Sequence, residues 1–220
     1  ILFPQPVKEL AHVCKQIGAT IAYDGSHVMG LIAGAEFQDP LREGADLIMG
    51  STHKSLFGPQ GGIILANKGK GEEIWKNIQP GLIDNAHWNR VAALTMALVE
   101  ARKYGSRYAR QTIKNSKALG KVLDEIGLPV MCRELGYSAS HQVILDVGEM
   151  KSGWGIASRL EEANIIVDSG VRFGTSEITR RGMRERDMER IGELVRRVLV
   201  NKEDPRKVRR DVVKLVEEFD

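Results

Sequence analysis

The chain has 220 residues, which is enough for one large domain or two modest ones. Hydrophobic residues make up 42% of it and charged residues 28%, values that argue against a disordered, collagen-like or solenoid protein. The formal net charge is only +3 and the charges are interleaved, so we expect no nucleic-acid partner. No apolar run approaches the roughly 18 residues that cross a bilayer, so we expect no membrane association.

The cysteine content and the first residues bear on the compartment. Two cysteines, Cys14 and Cys132, are too few for a disulfide framework, and a reducing, cytoplasmic compartment fits this usage. The chain begins Ile-Leu-Phe-Pro, without a charged region before an apolar core, so we expect no signal peptide. This start also has the pattern of a strand entered partway, which predicts that the chain is part of a longer protein.

The first half of the chain alternates helix and strand patterns. Pro6 and the apolar residues that follow it at helical spacing predict a helix that ends at Gly18. Three apolar runs, at 20–23, 46–49 and 62–66, predict short strands. Because the patterns alternate in this way, they favour an α/β domain with a mostly parallel sheet.

The second half has a different pattern. Residues 88–123 are predicted to be helical with a break near Gly105, and this stretch could join two domains. It is followed by strand patterns at 143–147, 165–166 and 171–173, a helix pattern at 153–163, and two closing amphipathic helices, the second starting at Asp204-Pro205. We assign residues 1–105 to a large domain and residues 106–220 to a smaller α+β domain.

Lys54 is the first candidate for chemistry. It follows Thr52 and His53 at the end of the second predicted strand, and ligands of open α/β sheets bind at the carboxyl edge. A desolvated lysine loses proton affinity, and as a neutral amine it can form a Schiff base with a carbonyl. The alternative is a lysine that follows a strand and points into water, and spacing alone favours that alternative.

Asp24 ends the preceding predicted strand, thirty positions before Lys54. A carboxylate and an amine at neighbouring strand ends form the pair that a pyridoxal phosphate site requires. The carboxylate keeps the pyridine nitrogen protonated, and the lysine holds the aldehyde carbon as a Schiff base. Asp24 could also cap the turn at Gly25-Ser26, and the two roles are compatible. The pair therefore predicts pyridoxal 5′-phosphate as a cofactor.

Two histidines and a glycine-rich segment lie near this pair. His27 and His53 could donate to the phenolic oxygen of the ring. With Asp24 they have the ligand types of a metal site, but their spacing matches no recognised zinc pattern, so we predict no metal. The segment 58–62 could hold a phosphate or form a tight turn, and taken alone it favours the turn.

Three arginines follow the last predicted strand of the small domain. Arg172, Arg180 and Arg181 lie in the segment 171–182. A guanidinium can bind a substrate carboxylate through two hydrogen bonds, which an ammonium cannot match. The alternative is a solvated basic turn, and for this feature in isolation it is the better interpretation.

Together, three stretches resemble the serine hydroxymethyltransferases, a family of fold-type-I pyridoxal phosphate enzymes, and above all their archaeal-type branch. They are Tyr-Asp-Gly-Ser-His-Val-Met-Gly at 23–30, Gly-Ser-Thr-His-Lys at 50–54 with Gly-Pro-Gln-Gly-Gly at 58–62, and Arg-Phe-Gly-Thr-Ser-Glu-Ile-Thr-Arg-Arg-Gly at 172–182. Their order and spacing agree across nearly the whole chain. The resemblance implies an incomplete large domain of that fold type and a smaller C-terminal α+β domain.

The resemblance also implies a role for each matched residue. Lys54 would carry the cofactor, Asp24 would pair with its ring nitrogen, and His27 and His53 would surround the ring and its 3-hydroxyl. Thr52 would assist the exchange of Lys54 for the substrate amine.

Further contacts are implied outside the ring. Ser26 and Ser51 would contact the cofactor, and Gly81 would meet the cofactor phosphate of the neighbouring subunit, so that a homodimer would share its active sites. Arg181 would bind the amino-acid carboxylate, with Arg180 as the fallback.

The sequence departs from the family pattern at several positions. Ser26 stands where many members have Ala, Phe57 and Gln60 stand where many have Arg, and Leu82 follows Gly81 where a glycine pair is usual. The first portion of the family, which supplies the aromatic residue stacked on the ring, part of the phosphate site, an acid/base glutamate and the pterin contacts, has no counterpart here. A chain without that portion could bind the cofactor weakly and be inactive.

The activity implied by the resemblance belongs to one-carbon metabolism and amino-acid biosynthesis. It is the reversible transfer of the hydroxymethyl carbon of serine to a reduced pterin, either tetrahydrofolate or a methanopterin-type carrier, giving glycine. Two alternatives remain open. Another fold-type-I enzyme, such as a threonine aldolase, an aminotransferase or a desulfurase, could share Asp24 and Lys54, and a non-catalytic remnant could keep only the fold.

Overall fold

The chain is divided into two compact units. The computed structural model describes residues 1–148 and 152–220. The N-terminal unit comprises Pro4–Ala109, and the C-terminal unit comprises Arg110–Asp220 together with Ile1–Phe3. Each unit has its own set of buried apolar side chains.

The N-terminal unit alternates helices and strands, as its sequence predicts. In chain order these are α1 Val7–Ile17, β1 Ala22–Asp24, α2 Met29–Ala33, α3 Pro40–Glu43, β2 Leu47–Ser51, β3 Gly62–Ala66, α4 Gly71–Ile78 and the first part of α5 Trp88–Glu125. The helix α1 ends at Gly18, whose φ of 67° is the left-handed conformation that glycine adopts readily.

The three strands form one sheet in the order β1, β2, β3. β1 pairs with β2 in parallel, whereas β2 pairs with β3 in antiparallel fashion. The α/β class is confirmed, but of these two pairings only one has the expected parallel direction. The loop 52–61 is shorter than the dozen or so residues that a parallel crossover needs, so β3 has to run back along β2.

Where β1 and β2 pair, one face of this sheet is buried and the other is exposed. Tyr23 on β1 and Ile48 on β2 are neighbours in register and are 6% and 2% exposed. They belong to the core of the unit with Val28, Leu31 and Ala45. Burial, followed by the charges of Glu43 and Asp24, raises the pKa of the Tyr23 hydroxyl to about 12, so this face carries a neutral phenol at physiological pH.

The break predicted near Gly105 is wrong, because α5 is continuous over 38 residues. Gly105 is buried within the helix and lies against Gly34, at the end of α2. A Cβ atom on Gly34 would come within 2.6 Å of the Gly105 carbonyl oxygen. This glycine pair therefore allows two backbones to approach closely and does not mark a helix end.

The C-terminal unit combines a small sheet with helices. Its elements are the end of α5, a short 3-10 helix Arg133–Leu135, β4 Gln142–Ile144, α6 Gly153–Glu161, β5 Arg172–Gly174, α7 Ser176–Arg181, α8 Glu185–Leu199 and α9 Pro205–Glu217. β4 and β5 pair in antiparallel fashion, and α8 packs against both α6 and α9. The enclosed core includes Leu123, Leu145, Leu160, Val171 and Val198. Asp204 caps α9 by accepting the N–H of Arg206, as predicted.

Two strand predictions in this unit need correction. Residues 165–166 form no strand, and the Ile166 side chain is 74% exposed, so it lacks the buried face that an apolar strand would need. The strand predicted at 143–147 is shorter, ending at Ile144, and Leu145 makes only an isolated bridge to Val130. None of the helices formed by the described residues combines the length and hydropathy that a membrane span requires.

Candidate active site

The ends of β1 and β2 bring the predicted chemical residues to one edge of the sheet. Asp24, the last residue of β1, is in register with Met49, and β2 continues two residues further to Ser51. The loop that contains Lys54 starts directly after Ser51. Because parallel neighbours end at the same edge, the carboxylate and the lysine loop lie at the carboxyl edge, where α/β sheets bind ligands.

A row of three side chains crosses the exposed face of the sheet. Asp24 is paired in register with Met49, and Met49 with Ile64 on β3. Residues paired in register project to the same face. Met49 and Ile64 are 39% and 45% exposed, and all three residues line the same cavity. The Asp24 carboxylate is therefore at one end of an otherwise apolar row.

The carboxylate of Asp24 is held in its ionised form. The N–H of Ser26 donates to Asp24 Oδ1 at 2.8 Å. Hydrogen bonds from the Ser26 hydroxyl and then the Ser26 N–H lower the pKa of Asp24 below its ordinary value of 3.8, and the charges of Lys54 and His27 lower it further. Asp24 thus caps the turn, as one interpretation of the sequence holds, and it also provides an acceptor near a positively charged lysine.

The loop after β2 is fixed by hydrogen bonds centred on Thr52. This residue is 2% exposed, its N–H donates to the Gly61 carbonyl at 2.9 Å, and its hydroxyl donates to the Pro59 carbonyl. Its own carbonyl accepts the N–H of Gly58 at 2.7 Å. The glycine-rich segment is therefore a tight turn, and it closes the loop that presents Lys54.

Ser55, the residue after the lysine, anchors this loop to α2. The buried Ser55 hydroxyl accepts the N–H of Gly30 at 3.0 Å. A Cβ atom on Gly30 would come within 2.0 Å of the Ser55 carbonyl oxygen, so glycine is required for this approach. The contact ties the segment after His27 to the segment that contains Lys54.

An open cavity of about 1230 Å³ lies on the exposed face of the sheet. Its lining includes four of the predicted residues, Asp24, Ser26, Ser51 and Thr52. Much of the remaining wall is apolar and comes from β3, α4 and the start of α5. Four other predicted residues do not line it: Lys54, His53, His27 and Gly81.

The remaining predicted cofactor residues have different surroundings. His53 is exposed, and its Nδ1 accepts the N–H of Gly61 at 3.3 Å. Gly81 is exposed in the turn that follows α4. In the ranges 1–148 and 152–220, no group of three or more His, Cys, Asp or Glu side chains is arranged to hold a metal ion.

Two of the three predicted arginines of the C-terminal unit, Arg172 and Arg181, are paired with carboxylates of that unit. Arg181, at the end of α7, is bound to both Glu177 and Asp220. Arg172 on β5 is paired with Asp168, which also accepts the backbone N–H of Arg172. Arg181 would therefore have to exchange these partners in order to bind a substrate carboxylate.

Comparison with known proteins decides the family. A family model described as serine hydroxymethyltransferase matches residues 6–195. The chain belongs to the serine hydroxymethyltransferase family. The family resemblance of its motifs is thereby confirmed.

Curated serine hydroxymethyltransferases match nearly the whole chain. Those of Methanocella arvoryzae, Methanocaldococcus jannaschii and Thermococcus gammatolerans are 48%, 45% and 49% identical to it over 96%, 99% and 99% of its length. The matches extend over 54%, 55% and 56% of these relatives, so the chain spans about half the length of the serine hydroxymethyltransferases that it matches.

A solved structure confirms the fold class. The crystal structure of L-threonine transaldolase from Pseudomonas fluorescens in its internal aldimine state has a TM-score of 0.92 and 31% identity with this chain. The match covers 99% of this chain and 52% of that one. The chain thus has the fold of a fold-type-I pyridoxal phosphate enzyme over about half of such an enzyme's length.

The residues present suit the cofactor that this serine hydroxymethyltransferase fold implies. Asp24 is ionised, exposed and aimed into the cavity, so it can accept the N–H of a protonated pyridine. The charge of Lys54 is close enough to lower the pKa of Asp24, so the amine and the carboxylate lie near each other. The cavity is also large enough to accommodate a substituted pyridine ring.

Two residues at the site are missing from the sequence-based predictions for this serine hydroxymethyltransferase chain. Ser55 had no signal other than its place after the lysine. Arg90 lines the cavity, and it is the single Asp, Glu, Lys or Arg residue between Asp84 and Glu100. A lone charge in an apolar helical segment was a signal that could have identified Arg90.

Proposed function

We propose that the chain is the lysine-bearing part of a serine hydroxymethyltransferase that works with pyridoxal 5′-phosphate. The observation that carries the proposal is the position of Asp24 and the Lys54 loop at the ends of two parallel strands beside one cavity. Hydrogen bonds from Ser26, and in addition the charge of Lys54, keep Asp24 ionised. This is the electrostatic arrangement that a protonated pyridine requires.

Each residue would have a defined task at the cofactor. When bound, pyridoxal phosphate supplies an electron sink for negative charge at the Cα atom of an amino acid. Lys54 would hold the aldehyde carbon, and Asp24 would accept the N–H of the ring. His27 and His53 would flank the ring and its 3-hydroxyl.

The hydroxyl-bearing residues and a glycine would complete the cofactor site. Ser26 would orient Asp24, Ser51 would add a contact at the cavity wall, and Thr52 would assist the exchange of Lys54 for the substrate amine. Gly81 would contact the phosphate bound by the second subunit of a homodimer.

The substrate would be serine, with glycine as the product and a reduced pterin as the acceptor of the hydroxymethyl carbon. Arg181 would orient the serine carboxylate after releasing Glu177 and Asp220, and Arg180 is the second choice for this role. We further propose that residues 1–105 are part of the cofactor-binding large domain, that residues 106–220 are the small domain, and that the protein acts in the cytoplasm.

A second candidate function has an observation in its favour. The solved neighbour at 31% identity is an L-threonine transaldolase. A chain with the same Asp24 and Lys54 could therefore act on threonine and an aldehyde without a pterin. The two functions differ in whether a reduced pterin is required.

Cofactor attachment is the first test. We expect the chain, mixed with pyridoxal phosphate and reduced with borohydride, to carry one pyridoxyl adduct on the peptide that contains Lys54, as detected by mass spectrometry. Lys54→Ala should lose the adduct, because Lys54 is the one lysine among the described residues whose charge lowers the pKa of Asp24. Lys68→Ala, which removes an exposed lysine of the same unit, should keep it. An adduct on another lysine, or none that saturates, would contradict the proposal.

Turnover is tested in a chimaera that joins this chain to the part of the Methanocella arvoryzae relative that it does not match. Release of glycine from serine that depends on a reduced pterin would support the first function. Formation of a new β-hydroxy amino acid from threonine and an added aldehyde, without pterin, would support the second. In the same chimaera, Arg181→Lys should raise the KM for serine more than Arg180→Lys does.

A further inference from the structure

Arg90 is a cation in the wall of the cavity. It lies in the first turn of α5 and lines the cavity together with Asp24 and Thr52. Among the described residues that form this wall, it is the one arginine, and none of them is a lysine. Arg90 is therefore the permanent positive charge that the described part of the cavity wall offers to a ligand.

The guanidinium of Arg90 lies directly against the backbone of Gly61. A Cβ atom on Gly61 would come within 2.0 Å of Nη2, 2.5 Å of Cζ and 2.8 Å of Nε. The same glycine donates its N–H to His53 Nδ1 and accepts the N–H of Thr52. Arg90 is thus placed at the end of the lysine loop, in space that is open because residue 61 has no side chain.

The guanidinium has no carboxylate within ion-pair distance in the part of the chain that the structure describes. Asp24 and Asp84 also line the cavity, but neither forms an ion pair with Arg90. By contrast, Arg181, Arg190 and Arg197 are each bound to carboxylates. A guanidinium in a cavity without a counter-charge is available to bind an oxyanion through two hydrogen bonds.

We propose that Arg90 binds an anionic oxygen group in this cavity, with the phosphate of pyridoxal 5′-phosphate as its ligand. The inference rests on the proposed function, because that function supplies the cofactor. A substrate carboxylate has the same chemistry and is the other source of such a group. The phosphate is favoured because it carries more negative charge and because Arg181 is the candidate for the carboxylate.

The test compares two vitamers that lack the aldehyde, so that Lys54 takes no covalent part. Binding of pyridoxine 5′-phosphate and of pyridoxine is measured by calorimetry. Arg90→Gln should weaken the phosphate ester about ten- to a hundredfold, the usual size for loss of a charge-assisted hydrogen-bond pair, and leave pyridoxine unchanged. Arg90→Lys should be intermediate. Arg102→Gln on the same helix, outside the cavity, should match the wild type, and thermal unfolding should show that all variants fold.

The outcomes separate the two sources and the two proposals. Weaker binding of glycine to the cofactor-loaded Arg90→Gln chain, with pyridoxine 5′-phosphate unaffected, would support an oxyanion site that holds the carboxylate instead. The inference would be overturned if Arg90→Gln bound both pyridoxine 5′-phosphate and glycine as tightly as the wild type does. It would also be overturned if the wild type bound pyridoxine and pyridoxine 5′-phosphate with equal affinity. Lys54→Ala should abolish the borohydride adduct and keep the preference for the phosphate ester, so failure at Lys54 is distinguishable from failure at Arg90.

Discussion

The hydroxyl and the backbone N–H of Ser26 both donate hydrogen bonds to the Asp24 carboxylate, and together they stabilise its negative charge. The hydrogen bond from the Ser26 N–H is enough to form the turn. The hydrogen bond from the Ser26 hydroxyl is the largest of the effects that lower the pKa of Asp24. In this chain the anion is therefore stabilised by a group that the turn itself does not require.

We predict that Ser26→Ala raises the pKa of Asp24 toward its ordinary value of 3.8, because the hydroxyl donor is lost while the N–H donor remains. The pKa of the folded chain is depressed, so the stability contributed by this carboxylate is present above pH 3.8 and is lost as the pH falls through the lower value. Carbon-13 NMR of the Asp24 carboxyl in both chains measures the difference. Ser51→Ala, at the same cavity wall, is the control, and identical midpoints in Ser26→Ala and wild type would contradict the prediction.

Single residues differ in how far the sequence could predict their place. Asp24 and Lys54 were predicted together because each directly follows or ends a strand pattern, and strand ends of an α/β sheet share an edge. Arg90 could not be found in this way. It reaches the lysine loop because α5 packs beside Gly61, and such a contact between distant segments leaves no local pattern.

The helices α2 and α5 meet at Gly34 and Gly105, and these two glycines differ in how much room they leave for a side chain. A Cβ atom on Gly34 would come within 2.6 Å of the Gly105 carbonyl oxygen and 2.7 Å of the Ala109 Cβ. A Cβ atom on Gly105 would have its nearest neighbour at 3.6 Å, which is ordinary contact. The close approach therefore depends on Gly34, whereas Gly105 has room for a methyl group inside a long helix.

We predict opposite effects of alanine at the two positions. Gly34→Ala should destabilise the N-terminal unit by about 1–3 kcal/mol, the usual cost of overpacking against backbone. Gly105→Ala should stabilise it by about 0.5–1 kcal/mol, since alanine is the better residue in a helix interior. Denaturant unfolding of both variants beside the wild type measures the two changes. Equal destabilisation by both would show that Gly105 is also needed for the approach.

The same pair explains why one element was predicted with a break. A glycine within a helix pattern usually weakens the helix, and from the sequence Gly105 had no visible compensation. The helices α1 and α9 were predicted correctly because their ends carry local signals, namely Gly18 in the left-handed conformation and the Asp204-Pro205 start. The direction of β3, by contrast, follows from the short loop 52–61 only once it is known that β3 pairs with β2.

At the scale of the whole molecule, the two units differ in their acidic groups. Six carboxylates among the described residues have a lowered pKa, and five of them belong to the C-terminal unit: Glu185, Glu193, Glu203, Asp211 and Glu218. In Glu203 and Asp211 the lowering comes first from hydrogen bonds with Arg197, which binds both. The sixth, Asp24, is in the N-terminal unit.

We predict that acid therefore unfolds the C-terminal unit first. A carboxylate whose pKa is depressed by folding contributes stability above its ordinary pKa, and this is lost as the pH falls through the depressed value. Each exposed ion pair contributes little to stability because water screens it. The difference in acid stability between the two units therefore comes from several carboxylates of the C-terminal unit that titrate below pH 4.5. Native NMR signals of Val198 should disappear at a higher pH than those of Ile48. Glu203→Gln combined with Asp211→Asn should bring the two midpoints together, and their coincidence in the wild type would contradict the prediction.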